Sequence, residues 1–192
     1  MSITEQEVMK WIKDDEWMMD ILQIVQKLDL PDWWICAGFV RSKIWDKVHH
    51  FSVRTPLPDI DVIYYDANNI EEEEEKQLEQ KLKQLHSLLP WSVKNQARMH
   101  TLNDFPPYTS AVDGIAHFTE TATALGVKLD EDGSLVFAAP WGITDTVSLK
   151  VRPTPLYEKP DKRNIYENRV IKKAWQNHWT RLEILGIEES LL

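Results

Sequence analysis

The chain has 192 residues, 43% hydrophobic and 28% charged, with a formal net charge of −9; this is ordinary globular usage, long enough for one good core, and it excludes wholesale disorder and fibrous architecture. No apolar run approaches the roughly 20 residues that cross a bilayer, and the N-terminus MSITEQEVMKW lacks a basic segment followed by an apolar one, so a cytoplasmic protein with no membrane attachment is expected. The acidic surplus disfavours nucleic acid as ligand, because nucleic acid is usually held by clustered Lys and Arg.

From Thr4 to Leu28, Val8, Trp11, Ile12, Met18, Met19, Leu22 and Val25 recur near the helical period, which predicts one amphipathic helix or a helix pair. Pro31 and Asp32 break it, and Trp33 to Ala37 read as a short buried strand closed by Gly38, with Cys36 packed inside as a small hydrophobe. A helix follows, carrying Val40, Ile44, Trp45 and Val48 on one face, with His49 and His50 at its end. The loop SVRTPLP then feeds DIDVIYYD, whose β-branched and aromatic residues predict a second strand. Glu71 to Glu75 predict a solvated helix start, and the stripe Leu78, Leu82, Leu85, Leu89 its buried face up to Pro90. WSVKNQARM reads as a third strand. Beyond Pro106 and Pro107, Ala111 to Leu125 reads as helix, Asp130 to Gly133 as a hairpin turn, Leu135 to Ala138 and Lys150 to Pro153 as short strands, and the stretch from about Tyr166 as a last amphipathic helix carrying Val170, Ile171, Ala174, Trp175 and Leu182. Trp11, Trp17, Trp175 and Trp179 are expected to pack at the core or its edge. Strands alternating with helices imply an α/β (α+β) fold, a mixed sheet flanked by helices.

In PDIDVIYYD, Asp59 and Asp61 stand two apart at the head of a strand, so the strand period turns both carboxylates to one face. Two such charges side by side call for a cation, and hard oxygen ligands suit Mg²⁺ or Mn²⁺ with phosphate oxygens completing the shell. Upstream, Gly38 marks a strand-to-helix junction whose bare N–H groups suit a triphosphate, and Arg41 lies one turn further on. Lys94, Asn95 and Arg98 follow on the neighbouring strand as candidates for nucleotide phosphates or base; strand alternation divides them between two faces.

WWICAGFVR, DIDVIYYD and WSVKNQARMH together resemble the nucleotidyltransferase superfamily, specifically the small bacterial nucleotidyltransferase-like proteins that share their core with the head domain of CCA-adding enzymes and poly(A) polymerases. The resemblance implies one such domain over residues 1–192, with its core at about 30–100 and a helical and hairpin extension at about 105–192. It also implies catalytic, metal-binding roles for Asp59 and Asp61, nucleotide contacts from Gly38, Arg41, Lys94 and Asn95, and two divalent ions. The reaction implied is transfer of a nucleoside monophosphate from a triphosphate to a hydroxyl acceptor, for which charge favours a small molecule over nucleic acid. A nucleotide- or protein-binding module that has lost catalysis is the other reading.

Two positions depart from the family pattern. Phe39 follows Gly38 where a serine is usual, and the third strand carries no acid where active members place a third carboxylate. Asp104, Asp113 and Glu120 are the acids that follow it; Glu120 belongs to the polar cluster Thr119, Thr121, Thr123, read as a helix face. Asp145 is expected to cap a turn.

Overall fold

The computed structural model describes residues 3–188. The N-terminal segment is a helix pair, α1 (Glu5–Lys13) and α2 (Glu16–Gln26). Thr4 and Glu7 form a reciprocal capping box at the first, and Asp15, by accepting from Met18 N, starts the second. β1 (Trp34–Cys36) runs into α3 (Gly38–Val48), and the proline loop leads to β2 (Ile60–Tyr64). α4 (Glu72–Leu85) then crosses over to β3 (Trp91–Asn95), and α5 (Gln96–Leu102) and α6 (Ala111–Ala116) follow. β4 (Gly126–Leu129) and β5 (Leu135–Ala138) form the expected hairpin. The chain ends with α7 (Thr144–Val147), β6 (Lys150–Val151), α8 (Arg163–Lys173), a 3₁₀ turn Trp175–Asn177, and β7 (Glu183–Ile184) beside β6.

The sheet has the order β3-β2-β1-β4-β5; β2 and β3 are parallel and the remaining pairs antiparallel, so it is the mixed α/β sheet that the alternation of elements predicts. Its two faces are sorted by the strand period. Ile35, Ile60, Val62, Tyr64 and Val93 join α1 to α4 in the larger core, whereas Trp34, Cys36 and Ile63 face α6 through Ala111 and Ile115. Asp61 shares the parity of Ile63 and therefore faces away from the larger core. A third cluster, built from Trp45 of α3 and the C-terminal Tyr166, Val170, Trp175 and Trp179, anchors the end of the chain. Trp45 meets Trp179 edge-on at 4.9 Å and Trp175 at 5.7 Å.

Four sequence expectations are corrected. The third strand stops at Asn95, because its carboxamide accepts from Ala97 N and starts α5, so Gln96 and Arg98 lie on a helix. The helix expected over 111–125 ends at Ala116. Three β-branched threonines beyond it favour turns, and Glu120 bridges to Pro153. The last helix begins at Arg163 and ends where Ala174 turns left-handed at φ 42°, so Trp175 and Leu182 lie beyond it. Within the acidic block, Glu71 to Glu73 are exposed, but Glu75 is fully buried.

Asp46 ties the proline loop to the C-terminal cluster: it accepts from Thr55 N at 2.9 Å, Thr55 Oγ1 at 2.6 Å and Trp179 Nε1 at 2.8 Å. Asp46→Ala leaves a buried indole N–H without an acceptor and is expected to cost about 3 kcal/mol. Thermal unfolding measures the loss. Amide exchange should quicken at Thr55 before it does in β2.

Candidate functional site

The strand-glycine-helix junction sits at the mouth of a cavity of about 350 Å³ between the N-terminus of α3, the proline loop and the end of α8. Asp59 and Asp61 both line it, as the period of two requires. Asp61 lies across from Cys36 on β1 and Ser92 on β3. Among the described residues, neither carboxylate accepts a hydrogen bond or enters an ion pair. Burial chiefly, and then the charge of Asp59, pushes Asp61 up to about 6, against the pull of Arg41, Arg169 and Lys173. Two adjacent carboxylates with unengaged oxygens on a polar cavity suit a hard divalent cation, and the residues present fit Mg²⁺ or Mn²⁺. Among the described residues there is no cluster of three or more His, Cys, Asp or Glu side chains that would cage a metal alone, so the rest of the shell falls to substrate and water.

The opposite wall is cationic. α3 begins at Gly38 with no side-chain cap, leaving first-turn N–H groups free for an anion. Preceding it, Ala37 holds φ 54° and ψ −118°, a backbone shape that turns the strand abruptly into the helix. Arg41 is buried beneath the cavity, its guanidinium 5.0 Å from the Trp45 ring and 4.6 Å from that of Trp175. Nη1 donates to Thr123 Oγ1 at 3.2 Å, and Nε has no acceptor among the described residues. Burial holds this arginine down at about 10, with Glu120, Asp61 and Asp59 acting in the other direction. Arg169 and Lys173, one turn apart on α8, complete the wall, and Arg169 Nε donates to the fully buried Glu120 at 2.8 Å.

Of the residues singled out in the sequence, Gly38, Arg41, Asp59 and Asp61 therefore meet at one cavity. Lys94 lines a second cavity, of about 250 Å³, that adjoins the first at Ala37, Asp61 and Arg169. Its ammonium lies 3.3 Å from Glu75. Asn95 borders neither cavity; its carboxamide donates to the carbonyls of Asp66 and Asn69. Cys36 is buried, and burial followed by Asp61 and Asp59 raises its thiol well above the usual range, in keeping with a packing role. Asp104 and Asp113 border neither cavity; the Asp113 carboxylate accepts from Thr109 N and Oγ1, and Asp113 N donates to Ser110 Oγ, the cap of α6. Asp145 accepts from Thr121 and pairs with Arg152. Sequence reasoning missed Arg169 and Lys173, although two cations four apart on a C-terminal helix were the available signal.

The family model for nucleotidyltransferases matches residues 23–184. A solved structure described as revealing a CCA-adding enzyme head domain is 34% identical, with a TM-score of 0.83, and the match covers 96% of this chain and 97% of that one. The fold also matches a CCA-adding enzyme with CTP (TM-score 0.60, 13% identity) and the Thermotoga maritima CCA-adding enzyme complexed with tRNA (TM-score 0.59, 13% identity). This chain spans less than half the length of those two, 44% and 43%. Comparison with curated protein sequences finds no match. No helix among the described residues is long and apolar enough to cross a membrane. With the family model matching residues 23–184 and a 34% identical structure matching over 96% of its length, this chain belongs to the nucleotidyltransferase family.

Proposed function

We propose that the protein transfers a nucleoside monophosphate from a nucleoside triphosphate to a hydroxyl on a small molecule. The observation that carries this reading is the pairing, across one cavity, of two unengaged carboxylates with a cationic wall made of Arg41, Arg169, Lys173 and the start of α3. Asp59 and Asp61 would hold one or two divalent ions, which when bound supply charge neutralisation on the phosphates. Arg41 and Arg169 present directional N–H donors to phosphate oxygens, and Lys173 adds a point charge. Relatives of the same fold are described with CTP and with ATP, which supports a triphosphate donor. A relative is also described with tRNA, but the net charge of −9 argues here for a small acceptor.

The second reading, nucleotide binding without turnover, is favoured by one observation. Ser92 stands beside Asp61 on β3, and the neighbouring positions supply no third acid. Release of pyrophosphate separates the two: it accompanies transfer and is absent from binding alone.

Thermal-shift titration with each of four triphosphates plus Mg²⁺ tests the common part. At a ligand concentration about a hundredfold above Kd, stabilisation of about 2.7 kcal/mol is expected, a rise in Tm of roughly 5–10 °C. The shift should vanish in the double variant Asp59→Asn, Asp61→Asn. Equal shifts in both proteins would refute the site.

A further inference from the structure

The second cavity has a composition that triphosphate binding leaves unused. It lies on the far side of Asp61, between β2, β3, α5 and the segment after α6. Its volume of about 250 Å³ is below the usual range for drug-sized ligands, and its walls mix Met99, Phe118 and Tyr157 with Gln96, Asn103 and Thr119. Two side chains there are held ready without an occupant of their own.

The first is Gln96, only 4% exposed, whose carboxamide forms no hydrogen bond among the described residues. Its amide atoms are not sealed within protein; they open onto the cavity, where a polar ligand can meet them. Gly114 lies opposite, and a Cβ there would collide with the Gln96 carboxamide, so the glycine makes the room that lets Gln96 reach the cavity wall.

The second is His117, the C-cap of α6. Its Nδ1 lies 2.8 Å from the Asp113 carbonyl oxygen, which can only accept, so in the neutral ring Nδ1 carries the hydrogen and Nε2 the lone pair. The Asp113 carboxylate lies 3.4 Å from the same Nδ1, and Tyr108 and Phe105 pack against the ring at 4.5 and 4.8 Å. Nε2 has no hydrogen-bond acceptor or donor among the described residues and is not sealed from the cavity. An oriented imidazole with a free nitrogen, at a cavity that also borders Asp61, supplies what β3 lacks.

We propose that this second cavity receives the acceptor, a hydroxylated molecule of about monosaccharide size, and that His117 is its general base. The inference rests on the transfer reaction proposed above. Gln96 binds a neighbouring hydroxyl of the acceptor, and His117 Nε2 takes the proton of the attacking one. The acceptor oxygen forms a bond to the α-phosphorus as the bond from that phosphorus to the bridging oxygen breaks. The electron pair leaves with pyrophosphate, and the product is a phosphodiester of the acceptor.

The test uses D-glucose, D-ribose and myo-inositol as probes, with an α,β-methylene triphosphate and Mg²⁺ present. Each is titrated to tens of millimolar while backbone amide signals are followed by NMR. At least one probe should shift Gln96, Gly114, Phe118 and Thr119 and leave α2 unmoved; Gln96→Ala should weaken that binding roughly tenfold. Absence of any shift with all three probes overturns the acceptor site. With the hydrolysable triphosphate, the best-bound probe should become labelled from the α-phosphate. His117→Asn keeps a donor for the Asp113 carbonyl but removes the base, and is expected to slow transfer by about 10²–10⁴. Added imidazole should partly restore His117→Ala. Equal rates in wild type and His117→Asn overturn the base. Throughout, the triphosphate-induced thermal shift should be the same in wild type and the His117 variants; its loss in the wild type would refute the donor site instead.

Discussion

Asp61→Asn is expected to abolish nucleotidyl transfer, by at least about three orders of magnitude, and at the same time to make the ligand-free protein more stable at neutral pH. The first effect follows from replacing one of the two anionic carboxylates at the cavity by a neutral amide, which binds a divalent cation far more weakly. The second follows from the direction of the shift. In the fold Asp61 titrates at about 6 instead of the ordinary 3.8, so ionisation is harder in the folded chain than in the unfolded one. Well below pH 3.8 the group is protonated in both states and costs nothing. As pH rises from 4 to 6 the unfolded chain ionises first and the fold is penalised; above 6 the penalty is constant, at most about 3 kcal/mol. Tm of the ligand-free wild type should therefore fall behind that of Asp61→Asn between pH 4 and 6 and stay behind at pH 7, with the two converging as pH drops below 3.8. Millimolar Mg²⁺ should narrow the gap at pH 7 by raising the wild type alone. A variant that is less stable than wild type at pH 7 without metal, or one that still transfers, would contradict this account.

Glu75→Ala carries the largest expected stability loss away from the cavity. Glu75 Oε1 accepts from Asn95 N at 2.9 Å and Arg98 Nε at 3.2 Å, while Oε2 accepts from Arg98 Nη2 at 2.8 Å and Lys94 Nζ at 3.3 Å. The hydrogen bond to Glu75 is also the main influence raising the Arg98 guanidinium above its usual range. This one carboxylate thus closes the junction of α4, β3 and α5. Breaking a buried pair by removing one member typically costs about 3–5 kcal/mol, because the surviving charge is left without compensation. For a chain of this length that corresponds to a fall in Tm of roughly 10 °C. Glu75→Gln, which keeps an acceptor for Asn95 N, should lose less. A fall of under about 2 °C in Glu75→Ala would mean that Arg98 finds another acceptor.

The contrast between Glu75 and its neighbours explains why part of this architecture was legible in the sequence and part was not. β1, β2 and the helix after Gly38 could be read because their signals are local: an apolar run, a glycine, a period of two. The placement of Asp59 and Asp61 on one face follows from the same period. Glu75 looks like one of five identical glutamates, and the approach of Lys94, Asn95 and Arg98, about 20 residues further on, distinguishes it. Likewise Arg169 and Lys173 read as an ordinary solvated helix until Trp179 packs on Trp45 and brings α8 over the aspartates. The segment 117–125 misled for the opposite reason. Its alanines and leucine suggest helix, but the Thr123 hydroxyl and Glu120 carboxylate are engaged by Arg41 and Arg169, and the backbone of Thr119 and Thr121 pairs with Arg152 and Thr154 instead of closing helical turns.

Arg41 is set beneath the cavity among indole rings, already stripped of most of its water. An oxyanion arriving there does not have to dehydrate the guanidinium, since folding has already done so, and it meets donors that are held in place before it arrives. Were the proposed triphosphate to bind here, such preorganisation would tie its recognition to the integrity of the tryptophan cluster more than to surface charge. Attraction at this depth is screened only weakly by dissolved salt, unlike that of an exposed basic patch.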